Sequence, residues 1–159
     1  MSNRRLSILI IFLLIGVLCM SVVCAESMET QDFLNFKIDT PKGSNFVEQP
    51  VENGTEINGV PISQVAYADE SNQIVIYYIN SPVLSGDGNS VFYQLFFESV
   101  NPELNQSYES QEGNLRVIEP VHKSEMSFSL VGLNSGNETL LLFGPDVTLL
   151  KDMANTAEF

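Results

Sequence analysis

The chain has no tryptophan, one histidine, two cysteines and only seven basic residues in 159. Each shortage removes a class of chemistry. Both cysteines, Cys19 and Cys24, lie in the first 25 residues, so the remainder has no disulfide, thiolate metal site or cysteine nucleophile. One histidine, His122, cannot supply the usual zinc or copper shells. It would also be the only base for a serine nucleophile, and no Gly-x-Ser-x-Gly elbow accompanies it. His122 reads as a solvated loop residue beside Lys123. The lack of tryptophan removes the usual platform for sugar rings, which weakens a reading of paired carboxylates as a glycosidase. Basic residues are scarcest of all after the leader, where five face all 20 acids. Such a surface repels nucleic acid and anionic membranes, because no basic patch can release phosphate counterions.

What is present begins with an 18-residue, almost unbroken apolar run over 6–23, behind Arg4 and Arg5 and ahead of Val23-Cys24-Ala25. A basic head, an apolar middle and small exit residues are the layout of a secretory signal. Residues 1–25 are therefore expected to be a signal peptide cut after Ala25 or, as the alternative, an N-terminal membrane anchor. Either way the general secretory route places the rest outside the membrane or at the cell surface. Residues 26–32 read as a short polar spacer, and 33–159 as a single domain large enough to bury its own core.

Alternation of Leu34, Phe36 and Ile38 with polar residues predicts a strand closed by Thr40-Pro41-Lys42-Gly43. The polar stretches 43–59 and 101–113 read as long loops. Val60–Ala68 and Gln73–Asn80 predict a hairpin, the second arm apolar on both faces and hence internal to a sheet. Val91–Val100 is strand-like in composition at Phe-Tyr-Gln-Leu-Phe-Phe, but Phe92, Leu95, Phe96 and Ser99 fall at helical spacing, and a helix ended by Asn101-Pro102 is the favoured of the two readings. Leu115–Ile118 reads as a short strand. Met126, Phe128 and Leu130 alternate into a turn at 134–137 and return over Thr139–Phe143, the clearest hairpin in the chain. Asp146 is placed to cap a final helix whose inner face carries Val147, Leu150, Met153, Ala154 and Ala157. The expected fold is α+β, a mainly antiparallel sheet of about six strands with two helices packed on it.

Candidate sites are few. Three sequons, at Asn53, Asn105 and Asn137, lie in expected loops and could accept glycans. Asp87-Gly88-Asn89 and Asp69-Glu70 place oxygen donors in turns without the spacing of a dedicated calcium loop. Within Val91-Phe92-Tyr93-Gln94-Leu95-Phe96-Phe97, the pair Tyr93 and Phe97 is the candidate contact surface, with core packing as its competitor. No catalytic residue, metal ligand or cofactor site emerges.

The order of elements resembles that of PsbP/Mog1-like domains, which are α/β/α sandwiches. Phe36-Lys37-Ile38-Asp39-Thr40-Pro41-Lys42-Gly43 is similar to their strand and Pro-x-Gly opening. Gly144-Pro145-Asp146 through Phe159 is similar to their closing helix and small-x-Phe tail. The chain also resembles small exported proteins of methanogenic archaea. The resemblance implies a binding or assembly role without catalysis and carries over no site residue. The expected function is thus a secreted or membrane-tethered, non-enzymatic domain that binds a surface protein or ligand. A small extracellular hydrolase using carboxylates and a calcium-responsive surface protein are the alternatives. Contact with a membrane is expected only through an uncleaved leader.

Overall fold

The computed structural model describes residues 27–50, 56–57, 60–61, 63–81, 107–122 and 127–159. Its centre is a seven-stranded antiparallel sheet built from β3 (Val47–Gln49), β6 (Ser63–Asp69), β7 (Ile74–Asn80), β8 (Ser107–Glu112), β9 (Leu115–Pro120), β10 (Ser129–Ser135) and β11 (Glu138–Gly144). The spatial order is β3-β6-β7-β11-β10-β9-β8. Two hairpin runs, β6-β7 and β8-β9-β10-β11, meet where β7 pairs with β11. A separate hairpin joins β1 (Met28–Asp32) to β2 (Lys37–Pro41), and β4 (Glu56–Ile57) pairs with β5 (Val60–Pro61). One helix among the described residues, α1 (Val147–Asn155), completes an α+β architecture that is mostly sheet.

The strand period decides what each face buries. Ile76 lies opposite Leu142, Leu142 opposite Val131 and Val131 opposite Val117, all on one face. Leu150, Met153 and Ala154 of α1 pack there, with Phe36 and Ile38 of the hairpin. Alternate residues (Ile79, Tyr77, Val75, Leu141, Phe143, Leu130 and Ile118) point to the second face. Leu141, Leu142, Ile76 and Ile79 are all at 0% exposure, so both faces are dry. That is why β7 and β11 read as near-continuous apolar runs.

Local chemistry sets the boundaries. Gly136 has φ 62°, and of the two turn residues only it is positive, the pattern of a type II′ hairpin turn. The β10-β11 turn is accordingly Gly136-Asn137, tighter than the expected 134–137. Asp146 accepts from the N–H groups of Thr148 and Leu149, capping α1 as expected. Leu150, Met153 and Ala154 are buried, while Val147 and Ala157 only flank the core.

Several expectations are corrected. The region 26–32, read as a spacer, contains β1, and each of its five strand residues is paired in register with β2. Leu34 does not face inward: Phe33 N–H bonds Phe36 C=O, which makes 34–35 a turn and leaves Leu34 88% exposed. The loops at 43–59 and 101–113 contain β3 and β8. β8 is an edge strand with both faces partly wet, so it carries polar residues and no alternation. The strand count rises from about six to seven in the main sheet, and the helix expected over 91–100 lies outside the described residues.

Candidate functional site

The outer face of the β1-β2 hairpin holds a concavity. In β2, Ile38 and Thr40 point inward, so Lys37 and Asp39 must point out. Register places Asp32 opposite Lys37 and Thr30 opposite Asp39. Lys37 Nζ meets Asp32 Oδ2 at 3.3 Å, and Thr30 Oγ1 donates to Asp39 Oδ1 at 2.6 Å. The free edge of β2 is taken by the C-terminal tail. Lys37 and Glu158 exchange both backbone hydrogen bonds, at 2.8 and 2.9 Å. Thr156 Oγ1 accepts from the Asp39 N–H at 2.9 Å and donates to the Met153 carbonyl at 2.8 Å. That hydroxyl ties the end of α1 to the middle of β2.

Between these parts lies a cleft of about 520 Å³, lined by Thr30, Lys37, Asp39, Asn155, Thr156, Ala157 and Glu158. A neighbouring hollow of about 210 Å³ shares Lys37 and Glu158 and runs past Asp32, Phe33, Leu34, Asn35, Phe36 and Phe159. Leu34 and Phe159, exposed by 88% and 38%, give this second hollow an apolar rim. The combined groove has three carboxylates (Asp32, Asp39 and Glu158) against one ammonium, with an apolar end. It suits a ligand carrying a cation beside an apolar group.

An aromatic cluster holds the groove in place. Phe33 stacks on Phe36 with centroids 4.7 Å apart, meets Tyr67 at 4.7 Å and meets Phe46 edge-on at 5.7 Å. Phe36 in turn stacks on Tyr78 at 5.8 Å. Burial raises the Tyr67 phenol above its usual range and the Glu48 charge adds to this, while a hydrogen bond with the Leu34 backbone pulls the other way. Burial likewise raises Tyr78, whose hydroxyl donates to Glu138 Oε1 at 2.7 Å. No family model, curated protein or solved structure matches this chain.

The residues singled out in the sequence fall elsewhere. Tyr93, Phe97, Asn53, Asn105 and the Asp87-Gly88-Asn89 turn lie outside the described residues. Asn137 occupies the exposed β10-β11 turn, but Thr139 of the same sequon is at 0% exposure, its Oγ1 accepting from Asn134 Nδ2 at 2.8 Å. A transferase that must recognise that hydroxyl can reach it only before β11 folds. His122 is exposed just beyond β9. Asp69 serves its turn: Oδ1 accepts from Ser71 N–H and Oδ2 from Asn72 Nδ2. Burial alone would raise its pKa, but hydrogen bonds from Asn72, Ser44 and the Ser71 and Asn72 backbone hold it below the ordinary carboxylate value. Among the described residues, no three Asp, Glu, His or Cys side chains gather as a metal shell, and no helix is long and apolar enough to cross a membrane.

The groove residues Thr30, Lys37, Asp39, Thr156 and Glu158 did not stand out in the sequence. Lys37 and Asp39 were visible as the polar half of an alternation. Nothing local showed that the tail, 117 residues beyond Asp39 at Thr156, returns to the same strand.

Proposed function

We propose that this protein is a secreted or membrane-tethered, non-enzymatic binding domain that engages a cell-surface partner through the groove between the β1-β2 hairpin and the C-terminal tail. The observation that carries this reading is the groove's composition: a hydrogen-bonded backbone frame, an acidic rim and an exposed apolar end in two adjoining hollows that share Lys37 and Glu158. The partner it fits is an extended segment with a Lys or Arg next to a large apolar residue. Three of the four described Lys and Arg side chains are already paired. Lys37, Arg116 and Lys151 each already meet a carboxylate, from Asp32, Glu109 and Glu112 respectively.

The start of β1 bears on how such a domain would be presented. Only residues 24–27 separate the apolar run from Met28, at most about 14 Å of extended chain. In a tethered form the domain would sit close against the bilayer. After cleavage at Ala25, two residues would precede β1 and the same groove would diffuse freely. The finer architectural reading, a PsbP/Mog1-like sandwich with a second helix over 91–100, belongs to this proposal and agrees with a sheet that is dry on both faces.

The test is titration with short extended peptides, one carrying Lys-Leu and one Glu-Leu, followed by amide shifts. The Lys-Leu peptide is expected to move Lys37, Thr156 and Glu158, with weakening in high salt and in Asp39→Asn. Shifts confined to residues outside the groove, or equal response to both peptides, would overturn the assignment.

A further inference from the structure

The β1-β2 hairpin that walls the groove has two edges, and one of them is open. Phe33 N–H bonds the Phe36 carbonyl at 2.9 Å, and Lys42 N–H bonds the Ser27 carbonyl at 2.7 Å. In an antiparallel ladder of this register, Glu29 and Gln31 therefore bond β2 through their backbone. Met28, Thr30 and Asp32 turn their N–H and C=O groups the other way. On β2 the outward edge is taken by the tail, Lys37 pairing with Glu158 and Asp39 N–H donating to Thr156. On β1 nothing corresponds: among the described residues, none hydrogen-bonds the backbone of Met28, Thr30 or Asp32.

This open edge is held in place from behind. Glu29 Oε1 accepts from the Gly43 N–H at 2.9 Å, and Gln31 Nε2 donates to the Ser44 carbonyl at 3.1 Å. On the groove side, Thr30 and Asp32 engage Asp39 and Lys37. The strand is thus ordered before anything adds to it, and an incoming segment bears only its own ordering cost. Glu29, Thr30 and Asp32 are exposed, and β1 carries no proline, no lysine and no bulge that would block pairing. Two other edges suit the role less. β3 is three residues long, and the β8 carboxylates Glu109 and Glu112 are already met by Arg116 and Lys151.

We propose that the free edge of β1 is a strand-addition site, where an extended cationic segment of the partner becomes the third strand of the hairpin. This rests on the reading of the groove as the partner site and specifies how the segment is held. Its backbone pairs with Met28, Thr30 and Asp32, and its alternate side chains turn onto the groove face beside Thr30 and Asp32. A Lys or Arg among them comes within reach of acid. The Asp32 side chain is 71% exposed in its pair with Lys37, and Asp39 is held by a hydroxyl. The chain's net charge of −13 disfavours a second copy in the same place.

The test uses the Lys-Leu peptide in three forms: unmodified, N-methylated at its odd residues, and N-methylated at its even residues. N-methylation removes backbone donors and leaves every side chain in place. Only alternate amides of an added strand face β1. One methylated form should therefore bind about tenfold or more weakly, and the other within about twofold of the parent. With saturating parent peptide, the Thr30 amide should exchange with deuterium about tenfold more slowly. Equal binding of the two methylated forms, or shifts at Lys37 and Glu158 with unchanged Thr30 exchange, would overturn strand addition and leave the groove reading standing. No response at either place would overturn both. Thr30 protection that rises with protein concentration in the absence of peptide would assign the edge to a second copy, and the proposal would fail.

Discussion

The two faces of the central sheet are equally dry at their centre, where Leu142 and Leu141 are both at 0% exposure, but the parts of the chain described against them differ. On the first face, α1 and the β1-β2 hairpin bury Ile76, Leu142, Val131 and Val117, and their meeting line creates the groove. On the second, Ile79, Leu141, Leu130 and Ile118 are just as buried, and neither α1 nor the β1-β2 hairpin packs there. The difference is instructive. One face is closed by elements from the two ends of the described chain, so its cover leaves edges where they meet. The proposed partner groove lies along those edges.

The largest expected effects test that equality. Leu141→Ala and Leu142→Ala remove neighbouring side chains on opposite faces, both at 0% exposure. Each is expected to cost about 2–5 kcal/mol in urea unfolding. A loss for Leu141→Ala far below that for Leu142→Ala would mean that the second face is not packed, and the comparison would fail.

Gly144→Ala sharpens the first-face side of the comparison. A Cβ there would meet Leu150 Cδ2 at 3.2 Å, with the Gln73 carbonyl at 3.5 Å behind it. The expected cost is about 1–3 kcal/mol by the same measurement, since Leu150 must shift against a full core. No loss would show that α1 is free to slide on β11.

A pH series separates the faces by a different route, because Asp69, Tyr67 and Tyr78 all belong to the first. The folded pKa of Asp69 is lowered, so its contribution is present above the unfolded value of about 4 and is lost as pH falls through the folded value. The folded pKa of Tyr78 is raised, so stability is fully present below about pH 10 and falls as pH rises through the folded value. Asp69→Asn should flatten the acid limb and cost about 1–2 kcal/mol at neutral pH. Tyr78→Phe should flatten the alkaline limb. Unchanged limbs in both variants would place the titrating groups elsewhere.

The smallest effect concerns how the first-face cover is anchored. Asp146→Ala removes the acceptor for Thr148 and Leu149 and should cost about 1 kcal/mol. Combined with Gly144→Ala, its effect should be non-additive if both act through the seat of α1.

How much of this was legible in the sequence depends on what signals each element sends. β10-β11 and the Asp146 cap were readable, because alternation, a Gly-Asn turn and a capping oxygen are local features. β7 was readable as internal from its apolar faces. β1 and β8, Met-Glu-Thr-Gln-Asp and Ser-Tyr-Glu-Ser-Gln-Glu, were not. Edge strands are specified by the partner beside them and carry little hydrophobic period of their own. The groove was hidden for a related reason: its walls come from residues 30–39 and 155–159, joined by the Lys37–Glu158 bridge. A long-range backbone pairing leaves no mark in either segment. The apolar run over 6–23, read as an export signal, is by contrast the plainest feature of the sequence, and it lies outside the described residues.

The central claim is that the hairpin groove is the partner-binding side of this molecule. Its most direct test places a photocrosslinker at Leu34, on the groove rim, and separately at Tyr108, exposed by 64% on the opposite edge strand. Both full-length variants are displayed at the surface of the native cells and irradiated. The account predicts a discrete adduct from Leu34, suppressed by Asp39→Asn, and none from Tyr108. A discrete adduct from Tyr108 with none from Leu34 would contradict it.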